Sequence, residues 1–204
     1  MPSSVRDLFD SAGVGPQRPI RFCEMLPSQS GGVYVVSLVS ESQEDGSKRC
    51  FAPQLSEELI AEWLRMNPRL RLDTGDHRPK AAELRERMEA FWLPDEVVLY
   101  VGQTSSSLGK RLRQYQRTKP WERRPHAGGC WLKLVEDYCN TFVFWDEHDD
   151  PKAAEGKMLG RFVERVSRRT RERLRDPDRP FPFANLEYPK GNRKAHGILQ
   201  PHCE

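Results

Sequence analysis

Six side chains in this sequence are of types that could do chemistry if the fold brings them together. The segment VVLYVGQTSSSLGKRLRQY, Val97 to Tyr115, begins as an apolar run carrying Tyr100 and breaks at Gly102. A polar turn follows, then a basic stretch with leucines at helical spacing. Leu108 and Leu112 are four residues apart and face the core, and Arg111 and Tyr115, also four apart, share a different face. Arg111 is a fixed cation that bridges two phosphate oxygens and does not lose its charge, with Lys110 and Arg113 as neighbours of the same type. A second strand tyrosine, Tyr34, stands in GGVYVVSLV; Glu155 lies in DPKAAEGKML and Asn185 in PFPFANLE. Phosphodiester hydrolysis needs a positioned nucleophile, charge stabilisation at phosphorus and help for the leaving oxygen. Three phenols, a guanidinium, a carboxylate and an amide are a suitable kit. Taken singly, each has a plainer reading: core tyrosines with tethered hydroxyls, a solvated basic helix, a turn asparagine. The acids of WDEHDD, 145 to 150, rival Glu155, but acids at a strand end are ordinarily solvated.

These residues must be positioned by strands and helices. The pattern predicts buried strands at Val33 to Val39 and Val97 to Val101, and a third at Thr141 to His148 with alternating aromatics. Helices are predicted around Val5 to Ala12, from Ser56 as N-cap to Met66, from Pro79 through PKAAELRERMEAFW, and from Ser107 to about Arg117. A long helix is predicted from Pro151 to about Arg173. GGCWLKLV reads as helix or strand, and the proline-rich tail from Asp176 reads as irregular. The chain divides into an N-terminal extension (1–30), a core domain (31–188) holding a helical insertion at about 40–96, and a basic tail (189–204). The fold class is α/β in the broad sense (α+β): a small mixed three-stranded sheet flanked by helices.

GGVY at Gly31 to Tyr34 and YVG at Tyr100 to Gly102 resemble the two half-motifs of the GIY-YIG nuclease superfamily. Arg111, Glu155 and Asn185 follow in the family's order, with Asn185 expected to orient backbone or phosphate groups by hydrogen bonds. The resemblance covers about 31–39 and 97–188, not the extension or the insertion. It implies a metal-dependent DNA endonuclease in which Tyr34 and Tyr100 hold the attacking water, one of them as a candidate general base. That role needs a depressed phenol pKa, which a nearby cation would supply. The resemblance also implies one magnesium ion, replaceable by manganese, on the single carboxylate Glu155, in keeping with the few protein ligands magnesium accepts. Tyr115 completes the catalytic set. Gln103 stands where family members often carry a basic residue, a contact Lys110 could replace. The long insertion resembles the GIY-YIG type II restriction endonucleases and points to sequence-specific restriction or phage defence. The alternatives are a repair or mobile-element nuclease acting on branched or single-stranded DNA, and a catalytically idle DNA-binding module. Gly32 and Gly102 would let the backbone turn or a phosphate approach.

Composition sets broader bounds. The 204 residues include 31% charged and 37% hydrophobic, and net charge is only +3. A weak overall charge makes distribution the useful signal. The arginine run RFVERVSRRTRERLR, 161 to 175, reads as a solvated face, with phosphate contact as the rival. Arg123, Arg124 and His126, in WERRPHAGGCWLKL, mix bases with aromatics and join Gln103, Lys110 and Arg113 as candidate DNA contacts. Five cysteines without a CxxC pair predict neither a disulfide scaffold nor structural zinc. With no basic-then-apolar start and no membrane-length apolar run, the sequence reads as cytoplasmic. Palindrome recognition would favour a homodimer.

Overall fold

The structure, a computed structural model, describes residues 1–204 apart from 49, 76, 123–129, 189–190 and 200–204. Ser4 opens helix α1 (Val5–Ala12): its hydroxyl accepts the Asp7 N–H, and Asp7 accepts the Ser4 N–H in return. This reciprocal box satisfies two donors that a helix start leaves free. Strand β1 (Ile20–Arg21) is short, and β2 (Gly32–Ser37) is buried at every residue. The segment between β2 and the next long strand forms α2 (Glu57–Met66), β3 (Arg71–Leu72) and α3 (Ala81–Glu89). Ser56 caps α2 as predicted, whereas α3 starts two residues after Pro79, with Lys80 as its N-cap. Then come β4 (Val98–Thr104), α4 (Leu108–Arg117), β5 (Phe142–Glu147), α5 (Pro151–Arg165) and α6 (Arg168–Arg171). Three two-residue strands close the chain: β6 (Glu187–Tyr188), β7 (Asn192–Arg193) and β8 (Ile198–Leu199).

The class is mixed α and β, but the main sheet differs from expectation. It has four strands in the order β1-β5-β2-β4, and every pairing in it is antiparallel. The added strand is Ile20–Arg21, too short to give a periodic signal. The tail is also more ordered than its prolines suggest, because β6 pairs with β7 and β8 reaches back to β3. The long C-terminal helix is two helices. Ser167 caps the second by accepting the Thr170 N–H, and Asp95 takes both the Ser167 and Thr170 hydroxyls. These side-chain bonds make a new helix start more favourable than continuation.

Each face of the sheet has its own core. Val33, Val35, Val101 and Phe144 pack with α1 and α5, through Leu8, Phe9, Met158 and Phe162. Tyr34, Val36, Tyr100 and Val143 pack on the other face with α2, α3 and α4, through Ile60, Trp63, Met88 and Leu112. The alternation of a strand, period two, assigns each residue to one core or the other.

Cys23 and Cys139 are joined by a disulfide, contrary to the expectation from cysteine spacing. The sulfurs come from segments 116 residues apart, a proximity that spacing does not encode. The bond ties the residues after β1 to the short 3-10 turn Tyr138–Asn140 that precedes β5. Among the described residues, no helix is long and apolar enough to cross a membrane.

Candidate functional site

Register brings the two strand tyrosines to one place. Tyr34 lies opposite Gly102 on β4 and opposite Trp145 on β5, while Tyr100 lies opposite Val36. Tyr34 and Tyr100 are therefore diagonal neighbours on one face, with ring centroids 5.9 Å apart. Gly102 makes this arrangement possible. A Cβ there would sit 2.6 Å from Cε1 of Tyr100 and 2.7 Å from both Cζ and the hydroxyl of Tyr34. At Gly32 a Cβ would strike the Asp146 carbonyl oxygen at 2.1 Å. Both glycines thus accommodate the protein's own rings and backbone.

Helix α4 supplies the cation. Its start is locked to the residues before β2, since the Leu108 and Gly109 N–H groups donate to the Ser30 and Ser28 carbonyls at 2.9 and 3.0 Å. Its end is held by the buried Lys133 ammonium, which donates to the carbonyls of Gln116 (2.7 Å) and Thr118. Lys133 was not singled out in the sequence, where it is one lysine in an apolar run, CWLKL, now a 3-10 turn (Cys130–Leu134). Between these anchors Arg111 projects at the tyrosines, half-buried, with its Nε buried and unpartnered. Tyr115, one turn later, packs edge-on against Tyr100 at 5.4 Å and against Phe22 at 5.1 Å. Phe22, beside the disulfide, forms the floor of this aromatic stack.

Glu155 comes from the second turn of α5, whose N-cap is Asp150, accepting the Ala153 N–H at 3.1 Å. Its carboxylate acts electrostatically on both Tyr34 and Tyr100 and is itself acted on by Arg111. Two phenols, one guanidinium and one carboxylate thus interact electrostatically, with Arg111 and Glu155 half-buried and the rings buried. Three of the rival acids have other tasks. Asp146 accepts from Gln17, Glu147 accepts the Ser28 hydroxyl at 2.7 Å, and Asp150 caps the helix.

Burial governs the protonation of this group. It pushes Tyr34 up to about 12, against the lowering influence of Arg111 and of the Tyr100 hydroxyl as donor. It raises Tyr100 and Tyr115 well above the ordinary phenol value. The depressed phenol anticipated for a general base is therefore not present: desolvation of the phenolate outweighs the cation. Burial likewise pushes Glu155 up to about 7, opposed by Arg111 and Lys152.

Asn185 orients backbone, one of the two roles expected for it. It is 4% exposed, and its amide pairs with the edge of β4, accepting the Val101 N–H and donating to the Val101 carbonyl, both at 2.8 Å. The Ala184 N–H donates to Leu99 beside it. Asn185 thus splints the strand between Tyr100 and Gly102 and does not point among the tyrosines. Gln103 pairs with Val33, on the sheet face opposite Tyr34 and Tyr100. Lys110 and Arg113 lie exposed on the outer side of α4. Arg123, Arg124 and His126 fall outside the described residues. No protein-family model, no curated protein and no solved structure matches this chain.

Proposed function

We propose that the chain is a metal-dependent DNA endonuclease that hydrolyses phosphodiester bonds in the manner of the GIY-YIG nucleases. Sequence-specific restriction or phage defence is its proposed setting. The observation that carries this reading is the convergence of Tyr34, Tyr100, Arg111 and Glu155 from four separate elements of the chain, β2, β4, α4 and α5. A structural role would not require a half-buried carboxylate and a guanidinium with an unpartnered Nε to be coupled electrostatically to two phenols.

Arg111 is the phosphate-binding group. Its charge is permanent, and its fork matches two phosphoryl oxygens as charge builds on them in the transition state. Tyr34 and Tyr100, protonated at neutral pH, orient the attacking water by hydrogen bonds instead of ionising to abstract its proton. Water forms the new bond to phosphorus and releases a proton to solvent, the bond to the 3′ oxygen breaks, and that oxygen takes up a proton from solvent, leaving a 3′ hydroxyl and a 5′ phosphate. Tyr115 and Phe22 hold the Tyr100 ring, and Asn185 holds its strand.

The donor set fits magnesium. Among the described residues no group of three or more His, Cys, Asp or Glu gathers, so a chelating cage is absent there. Glu155 stands as a single carboxylate whose burial disfavours its charge, a cost that a divalent cation would offset. Glu155 would hold the ion, and the ion would supply positive charge to the leaving oxygen.

Plasmid nicking with magnesium and with chelator tests the proposal. Glu155→Gln is expected to abolish cutting while DNA binding persists. Arg111→Ala is expected to slow single-turnover cleavage about 1,000-fold or more, in the range lost with a transition-state arginine. Discrete fragments would support restriction, and junction-dependent cutting the repair alternative. DNA binding with no magnesium-dependent cutting by the wild-type chain would refute the nuclease reading.

A further inference from the structure

Helix α4 carries Arg111 on its inner side. Its outer side carries Lys110, Arg113 and Arg117, all exposed. The spacings are i, i+3 and i+7, which align the three charges on one stripe. Among the described residues, none of the three has a carboxylate partner, and the helix itself contains no Asp or Glu. Most arginines on the other helices are treated differently, although Arg169 and Arg171 on α6 have no carboxylate partner among the described residues. Arg6, Arg65, Arg85, Arg87, Arg161 and Arg168 each face an acidic side chain within 4.0 Å.

The stripe is unfavourable for the isolated helix. Like charges at i, i+4 destabilise a helix by a few tenths of a kcal/mol. Lys110 also lies in the first turn, where the helix dipole opposes a cation. No acidic residue in the helix offsets either cost, and an external polyanion would offset both. The helix is rigidly placed for such a role: the residues before β2 hold one end and Lys133 holds the other, so the stripe and Arg111 keep a fixed relation.

We infer that the outer face of α4 is a docking track for the phosphate backbone of duplex DNA, with Arg117 a contact residue alongside Lys110 and Arg113. This inference rests on the nuclease reading of the Arg111 site and deepens it. The stripe extends for roughly 10 Å, at 1.5 Å per residue. A duplex presents about one phosphate charge per 1.7 Å, so several phosphates lie within reach. Duplex is favoured over single strand because the stripe offers no base-stacking platform. The one aromatic on α4, Tyr115, is 1% exposed. Trp121, just beyond the helix, packs on the core with the Lys119 ammonium 5.4 Å from its ring centre.

The test is the salt dependence of binding. The full chain is titrated against a labelled duplex, and against its single strand, by fluorescence anisotropy in magnesium-free buffer over a range of salt. K110Q/R113Q/R117Q is expected to lower the slope of log K against log salt by about 0.9 per contact, ~2.7 in all. R161Q/R168Q, which removes ion-paired charges on α5 and α6, is expected to leave the slope as in wild type. An unchanged slope in the triple variant, in a wild-type chain that cuts plasmid, would overturn the track and leave the nuclease reading standing. Binding of single strand as tight as duplex would also overturn it. A wild-type chain that neither binds nor cuts DNA would refute the nuclease reading itself.

Discussion

Gly102→Ala puts the tyrosine arrangement to its most direct test. Replacing glycine inside a strand ordinarily stabilises it by about 0.5–1 kcal/mol, because the unfolded chain loses less freedom on folding. Steric conflict opposes this gain. The new methyl would lie 2.6–2.7 Å from one carbon of Tyr100 and two atoms of Tyr34. These rings cannot swing into solvent, since Tyr34 is 1% and Tyr100 is 7% exposed. Tyr100 is also backed by Tyr115, and Tyr115 by Phe22, so a shift would spread through the stack. Overpacking of this kind costs about 1–3 kcal/mol, which exceeds the backbone gain. A net loss of about 1–2 kcal/mol in urea unfolding is expected. Displacing the rings by even 1 Å is expected to lower cleavage about 100-fold. Tyr100→Phe should not rescue either effect, because the closest contact on that ring is its edge carbon and not its hydroxyl. If G102A is as stable as wild type or more so, the stacked geometry of Tyr34 over Gly102 is wrong. Retained stability with full activity would also remove the tyrosines' placement from the mechanism.

Other outcomes follow from the same geometry. Asn185→Ala strips two bonds from a buried strand and should cost about 2–4 kcal/mol in unfolding free energy; Asn185→Asp, which opposes an acidic oxygen to the Val101 carbonyl, should also be destabilised, and an unaffected N185D would exclude the splint. Glu96 is 1% exposed, accepts only the Ser3 N–H among the described residues, and burial pushes it up to about 8 from 4.5. A raised carboxyl stabilises the fold fully below its unfolded value, and that contribution is lost as pH climbs through about 8. Comparing urea midpoints at pH 5 and pH 8, Glu96→Gln should remove a loss of a few kcal/mol seen in wild type; parallel pH profiles would refute this. Cys139→Ser should lower stability by about 2–4 kcal/mol under oxidising conditions and match wild type in reductant, whereas equal stability in both would discount the Cys23–Cys139 bond.

Local structure was legible in the sequence wherever one signal dominated. β-branched runs gave the cores of β2 and β4, Ser56 and Ser107 announced the starts of α2 and α4, and the i, i+4 pairing of Arg111 with Tyr115 fixed their shared helix face. Strand periodicity also put Tyr34 and Tyr100 on strands, but not on the same face, since that depends on a register set by partners over 60 residues apart. Tertiary structure alone decided the rest. It made the sheet antiparallel with a fourth strand, split the last long helix at Ser167, paired Cys23 with Cys139 and turned Asn185 to the backbone of β4. It also decided the protonation of the tyrosines. A sequence shows that an arginine is available to lower a phenol's pKa, but only folding determines how much water is excluded, and here dehydration outweighs the cation. Residue type and short spacing are properties of the chain; burial, register and long-range contact arise from the competition among all its apolar surfaces for one interior.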